Sequence, residues 1–304
     1  IGELRAAGCV AVSDDGRPVA NASLMRRALE YAAMFDMPVI DHCEDVSLAG
    51  DGVAHEGHRA AVLGLRGLPA AAETIIVERD VILSGLTGSP VHIAHISARG
   101  ALDAVRAGKH RGIRVSCEVT PHHFTLTDEQ LVGYDTNYKM NPPLREAADV
   151  EGMLDGLRDG SIDCIATDHA PHHYDEKLVE FDRAPFGIVG LETAVSICLD
   201  RLVRAGHIPL SRLVELLAVN PARVLGVPGG ALTPGAPADI TVLAPDLAVT
   251  VEAAAFRSLA RNTPFNGWSL RGGVAATMVG GRTVYVNATV AGATAFDQHL
   301  AARG

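Results

Sequence analysis

The feature that most constrains this chain is an alternation. Short apolar runs recur along its first two thirds: "CVAVS" (9–13), "PVID" (38–41), "PVHIAHIS" (90–97), "IRVSCEV" (113–119) and "SIDCIATD" (161–168). Each is followed by a stretch with helical character. Strand then helix, repeated, is the pattern of a parallel sheet buried under helices. The spacing predicts a helix from Ser23 to Phe35, where Leu24, Ala28, Tyr31, Ala32 and Phe35 follow the 3.6-residue period. Others are expected from Pro69 through Ile82, through Leu102 and Val105 up to Gly108, around 147–158, and over "LETAVSICLDRLVRAG" (191–206). Pro69 suits a first helical turn, where a missing N–H costs nothing.

After about residue 226 the texture changes. "GALTPGAPADITVLAPD" and "VAATMVGGRTVYVNA" read as short strands with Gly/Pro turns, a small antiparallel β unit. The chain is therefore expected to divide into an α/β part, 1–225, and a β unit with a C-terminal segment, 226–304.

Composition narrows the function classes. With 48% hydrophobic and 20% charged residues, the 304-residue chain can bury a large core and leaves little room for disorder. A formal charge of −10 argues against nucleic acid or anionic membrane as the main partner. The five cysteines lack ligand spacing and mostly lie in apolar runs, as reduced thiols of a cytoplasmic protein do. No apolar stretch reaches the length of a membrane span, and no signal peptide is visible.

Four polar residues stand at the C-terminal ends of successive strands: Asp15, His42, His95 and Asp168. That is the face on which α/β barrels assemble active sites. Two imidazoles and two carboxylates suit a divalent metal such as zinc. Strand ends attract polar residues in any case, so no single one decides the matter, whereas four on one rim form a pattern. His55 and His58 fall in a polar loop and are expected to be solvated. His92 has the opposite strand parity to His95. His110, His207 and His299 read as surface residues, and His122 and His123 as structural.

The motifs "SDDG" (13–16), "DHCED" (41–45), "HIAHIS" (92–97), "EVTPHHFTLTD" (118–128), "YKMNPPLR" (138–145), "DCIATDHAPH" (163–172) and "APFGIVGLETA" (184–194) occur in this order. Together they closely resemble bacterial dihydroorotases of the longer, aspartate-bridged type in the amidohydrolase superfamily. "NPARVLG", "GAPADITVL" and "NTPFNGW" extend the likeness. The resemblance implies a (β/α)8 barrel of the TIM type, here incomplete and represented by strands four to eight, with a small C-terminal β unit. It implies a binuclear zinc centre in which Asp15 bridges, His42 and His95 bind one metal, and Asp168 binds the other. Asn141, His172, Phe186 and Gly187 are the implied substrate contacts. Taken without the resemblance, Asn141 and Gly187 read as turn residues.

The implied reaction is the reversible interconversion of dihydroorotate and N-carbamoyl-L-aspartate in pyrimidine synthesis, with Asp168 moving the proton. In this family a His-x-His pair, an arginine and an asparagine precede the first motif matched here. On that comparison the sequence lacks the N-terminal third, and alone it is expected to hold at most one zinc tightly and to turn over poorly. Two alternatives stay open. One is a hydantoinase- or allantoinase-like cyclic amidohydrolase; the other is a dihydroorotase-like pseudoenzyme that scaffolds aspartate carbamoyltransferase. A homo-oligomer is also compatible with the sequence.

Overall fold

The computed structural model describes residues 1–290. Ten strands occur among them: β1 Val12–Ser13, β2 Val39–Asp41, β3 Ala54–His55, β4 Gly67–Leu68, β5 Val91–Ile93, β6 Val115–Val119, β7 Cys164–Ile165, β8 Ile240–Thr250, β9 Ser269–Val279 and β10 Arg282–Val286. Five of them form one sheet in the order β1-β2-β5-β6-β7, and every pairing in it is parallel. Sequence order equals spatial order, as expected when each crossover helix returns the chain to the next position. This is the strand arc of a (β/α)8-type barrel, and its C-terminal ends form one rim.

Register explains why the rim gathers polar groups. Val12 pairs with Val39, Val39 with Val91 and Val91 with Val115, so four valines stand in one row across four strands. Val39, Val91, Val115 and their period-two mates Ile93, Cys117 and Val119 are buried in the main core. Ser116 and Glu118, with opposite parity, lie on the other face together with His92, which bonds to both. Strands this short run out within a few residues, and the polar groups sit where they end.

The helices cover the outer face as their periodicity requires. Ala22–Ala33 buries Met25, Leu29 and Ala32, and Ala70–Thr87 buries Ile76, Val77 and Val81. Arg99–His110 and Ala147–Asp159 bury Leu102, Val105, Met153 and Leu157. The side chain of Asn21 caps the first of these by accepting from Leu24 N, and Gly88 and Gly160 end two others in the left-handed conformation. Gly156 permits close helix approach, because a Cβ there would lie 2.6 Å from Leu102 Cδ2.

The C-terminal unit is an antiparallel sheet in the order β10-β9-β8, as the Gly/Pro-punctuated sequence predicts. It packs through β9 against helix Ala194–Cys198. Among the described residues no helix is long and apolar enough to cross a membrane. His299 lies outside the described residues.

The reading of His55 as solvated is corrected. Strands β3 and β4 pair within the polar loop, and His55 is buried there against Arg145, whose Nη1 lies 3.2 Å from His55 Nδ1. Arg145 is itself fully buried. It donates to Ser97 Oγ, to Leu68 O and to Glu73 Oε2, the last at 3.1 Å. Glu73 in turn accepts from the backbone of Ser97 and Ala98. This buried ion pair is fully hydrogen-bonded, the condition under which such a pair is tolerated. His58 and His110 are exposed, and His122 and His123 are buried, as expected.

Candidate metal and substrate site

Three of the four rim residues converge on one point. His42 Nδ1 lies 3.1 Å from His95 Nε2 and 3.2 Å from Asp15 Oδ1, and His95 Nε2 lies 3.4 Å from the same oxygen. Metal–ligand bonds of about 2.0–2.1 Å in a tetrahedral site place ligand atoms about 3.3 Å apart. The three donors stand at that spacing. In the metal-free state one of the two imidazoles can donate to the other, and a cation at the same place would take both nitrogens as ligands. By this spacing Asp15, His42 and His95 fit one metal ion.

The electrostatics agree. Burial pulls the His42 pKa down, but the Asp15 and Glu44 carboxylates outweigh it and raise it to about 9. Hydrogen bonds from His42 and then His95 hold Asp15 well below the usual carboxylate range. The site attracts positive charge, whether proton or metal.

Asp168, the fourth residue, stands apart from that tight group. Burial pushes its carboxyl pKa up, against the lowering influence of His95. It sits at the exit of β7 with φ +44°, and His95 sits at the exit of β5 with φ +31°. Left-handed backbone is uncommon outside glycine and gathers at functional sites. The positive φ also breaks the strand parity on which the comparison of His92 with His95 rested.

Asn141 adjoins the metal group. Its Nδ2 donates to Glu44 Oε2 at 2.8 Å and lies 3.5 Å from His42 Nε2. Glu44 was not singled out in the sequence, although "DHCED" contains it. With His42 directing Nδ1 at the metal position, its Nε2 faces Glu44 Oε2 at 3.9 Å. A carboxylate behind a ligand histidine orients the ring. Glu44 thus serves both His42 and Asn141.

His172, Phe186 and Gly187 form a second group beyond Asp168. His172 Nε2 donates to Phe186 O at 2.7 Å. Gly187 has φ +147°, and a Cβ there would lie 2.8 Å from both Ala170 O and the His172 ring. The segment is anchored by two buried lysines. Lys139 Nζ donates to Phe181 O and Asp182 O, with Phe186 stacked 4.7 Å from its ammonium, and Lys177 Nζ donates to Pro185 O.

A second group of close donors, Asp41, Cys43 and Asp80, lies wholly buried behind the rim. The Arg79 guanidinium already stands there, 2.8 Å from Asp80 Oδ1 and 3.5 Å from Asp41 Oδ2. The positive charge is supplied by the chain itself. The cysteines otherwise carry no ligand geometry among the described residues.

Comparison with known proteins gives the family. Residues 3–284 match the model of the amidohydrolase family, whose members are metal-dependent. The dihydroorotase of Pelotomaculum thermopropionicum is 57% identical over 284 residues, 93% of this chain and 66% of the relative. That of Pelobacter propionicus is 55% identical over 94% of this chain and 67% of its own length. The chain thus spans about two thirds of the curated relatives it matches. Among solved structures, the L-hydantoinase (dihydropyrimidinase) of Arthrobacter aurescens superposes with a TM-score of 0.83 at 26% identity, covering 95% of this chain and 67% of that one.

Proposed function

The chain belongs to the amidohydrolase family, and from that premise we propose that the protein is a zinc-dependent dihydroorotase. The observation that carries this reading is the convergence of Asp15, His42 and His95 on one point, with Asp168 within their electrostatic reach, in a chain more than half identical to dihydroorotases. A hydantoinase-like activity has weaker support, since the hydantoinase compared above shares only 26% identity.

The substrate is a small cyclic amide acted on in the cytoplasm. Hydrolysis of dihydroorotate breaks the ring C–N bond; water supplies hydroxyl to the carbonyl carbon and a proton to the departing nitrogen. Ring closure reverses each step. Asp15, His42 and His95 would hold one zinc ion tightly, and Asp15 with Asp168 offers two further ligands to a second ion. Zinc at this position would supply Lewis acidity to the carbonyl oxygen and lower the pKa of a water molecule.

The remaining work falls to this chain's own side chains. Asp168 accepts the proton from the attacking water and returns it to the leaving nitrogen, as general base and then general acid. Its elevated pKa brings it closer to the range in which a carboxyl group can do both. Asn141 and His172 hold the substrate, and Phe186 with the Gly187 backbone closes one wall, a positioning role. The experiment is conversion of dihydroorotate to N-carbamoyl-L-aspartate by the zinc-loaded protein at its natural full length. Loss of that conversion in Asp168→Asn with retained zinc supports the assignment; undiminished conversion in the variant overturns it.

A further inference from the structure

Asn262, in "NTPFNGW", is separated by 90 positions from His172, and its buried side chain is fully used. Its Nδ2 donates to Ala170 O at 2.9 Å and to Gly187 O at 3.0 Å. Its Oδ1 accepts from His172 N at 3.2 Å, and its backbone carbonyl accepts from Val189 N at 3.0 Å. One carboxamide thereby clips together two segments, 170–172 from the exit of β7 and 187–189 from the loop that follows.

These segments carry the substrate-facing groups. Ala170 N donates to Ile188 O at 3.0 Å, and the His172 ring reaches Phe186 O. Gly187 has no side chain because the Ala170 carbonyl and the His172 ring occupy that space. The position of the His172 ring therefore depends on the separation of the two segments, and Asn262 sets that separation. No other side chain of this size supplies two donors and one acceptor in a single plane. Aspartate would turn a carboxylate on two carbonyl oxygens, and alanine would leave three backbone groups short of a partner.

We propose that Asn262 is a positioning residue for substrate binding, holding the His172 imidazole and the Gly187 backbone at the spacing that receives the substrate. The choice of substrate rests on the function proposed above. The tight metal group of Asp15, His42 and His95 lies on other strands of the rim, so the effect falls on binding rather than on that metal.

The test uses zinc-loaded protein at natural length with dihydroorotate as substrate, comparing Asn262→Ala, Asn262→Asp and Asn262→Ser. Asn262→Ala raises KM about tenfold or more with kcat changed less than about threefold and zinc content unchanged. Asn262→Asp, although nearer in size, is worse than alanine, and Asn262→Ser, which keeps a donor and an acceptor, is intermediate. Should the aspartate variant fail to fold, the alanine and serine variants still decide. Backbone hydrogen exchange at His172 and Val189 is the second readout, and it speeds up in Asn262→Ala without substrate present. Unchanged KM, a fall in kcat at constant KM, or unaltered exchange at these two amides overturns the proposal. If the parent protein fails to turn over dihydroorotate, the function falls, and hydrogen exchange alone still judges the role of Asn262.

Discussion

His42 Nδ1 and His95 Nε2 face one another at 3.1 Å across the Asp15 carboxylate. One ring can donate to the other at that distance, but with Asp15 the pair also presents three donor atoms at the spacing of tetrahedral metal ligands, the clearest candidate metal position among the described residues. On the proposed assignment, removing one of them removes a metal ligand. His95→Ala is expected to lose bound zinc on dialysis, as read by metal analysis, while the folded core persists by circular dichroism. Retention of stoichiometric zinc by this variant would contradict the assignment.

Glu44 stands behind the same pair. Glu44→Gln keeps the size but loses the charge facing His42 Nε2 and Asn141 Nδ2. Replacing a carboxylate behind a ligand typically costs 10–100-fold in metal affinity, and a loss of about that size is expected here by competition with a chelator. An unchanged zinc dissociation constant would show that Glu44 serves Asn141 alone.

Gly187→Ala tests the wall beside His172. Holding alanine at φ +147° with its Cβ against Ala170 O costs on the order of 1–3 kcal/mol. The expected result is a lower urea midpoint together with a raised KM. A variant with parent-like stability and KM would mean that the segment relaxes freely, which its anchors on Lys139 and Lys177 oppose.

Arg145 is buried with Glu73 as its charge partner. Arg145→Ala strands a buried carboxylate, and breaking such a pair from one side costs about 3–5 kcal/mol. Denaturant unfolding should show a loss of that order. A loss below about 1 kcal/mol, the scale of exposed pairs, would mean that water reaches Glu73.

Acid stability has a predictable sign. Burial holds the pKa of His55 and of His123 down at about 4, and the Arg145 charge adds to the effect at His55. In the unfolded chain both titrate near 6.5. The unfolded state therefore binds more protons between pH 6.5 and 4. Stability present above pH 6.5 is lost as the pH falls toward 4. Unfolding free energies measured across this range should decline with pH, and His123→Gln should flatten the slope. An identical slope in the variant would show that His123 does not contribute.

Much of this was legible in the chain. The β-then-α alternation gave the parallel sheet and its helices, because buried strands and amphipathic helices leave different periodicities. Asp15, His42 and His95 could be placed on one rim because each follows an apolar run. What escaped depended on distant partners. His55 looked solvated because its own loop is polar, and only Arg145, 90 residues on, buries it. Asn262 gave no local signal, since its three side-chain partners lie 75 to 92 positions away. Glu44 was in plain view beside His42, but its contact with Asn141 spans 97 positions.

The most direct measurement is a comparison of kcat/KM for dihydroorotate, hydantoin and allantoin by the zinc-loaded protein at its natural length. The proposed function predicts at least about a tenfold preference for dihydroorotate, the scale on which one or two well-made polar contacts discriminate between substrates. Equal turnover of the three, or a preference for hydantoin or allantoin, would contradict it.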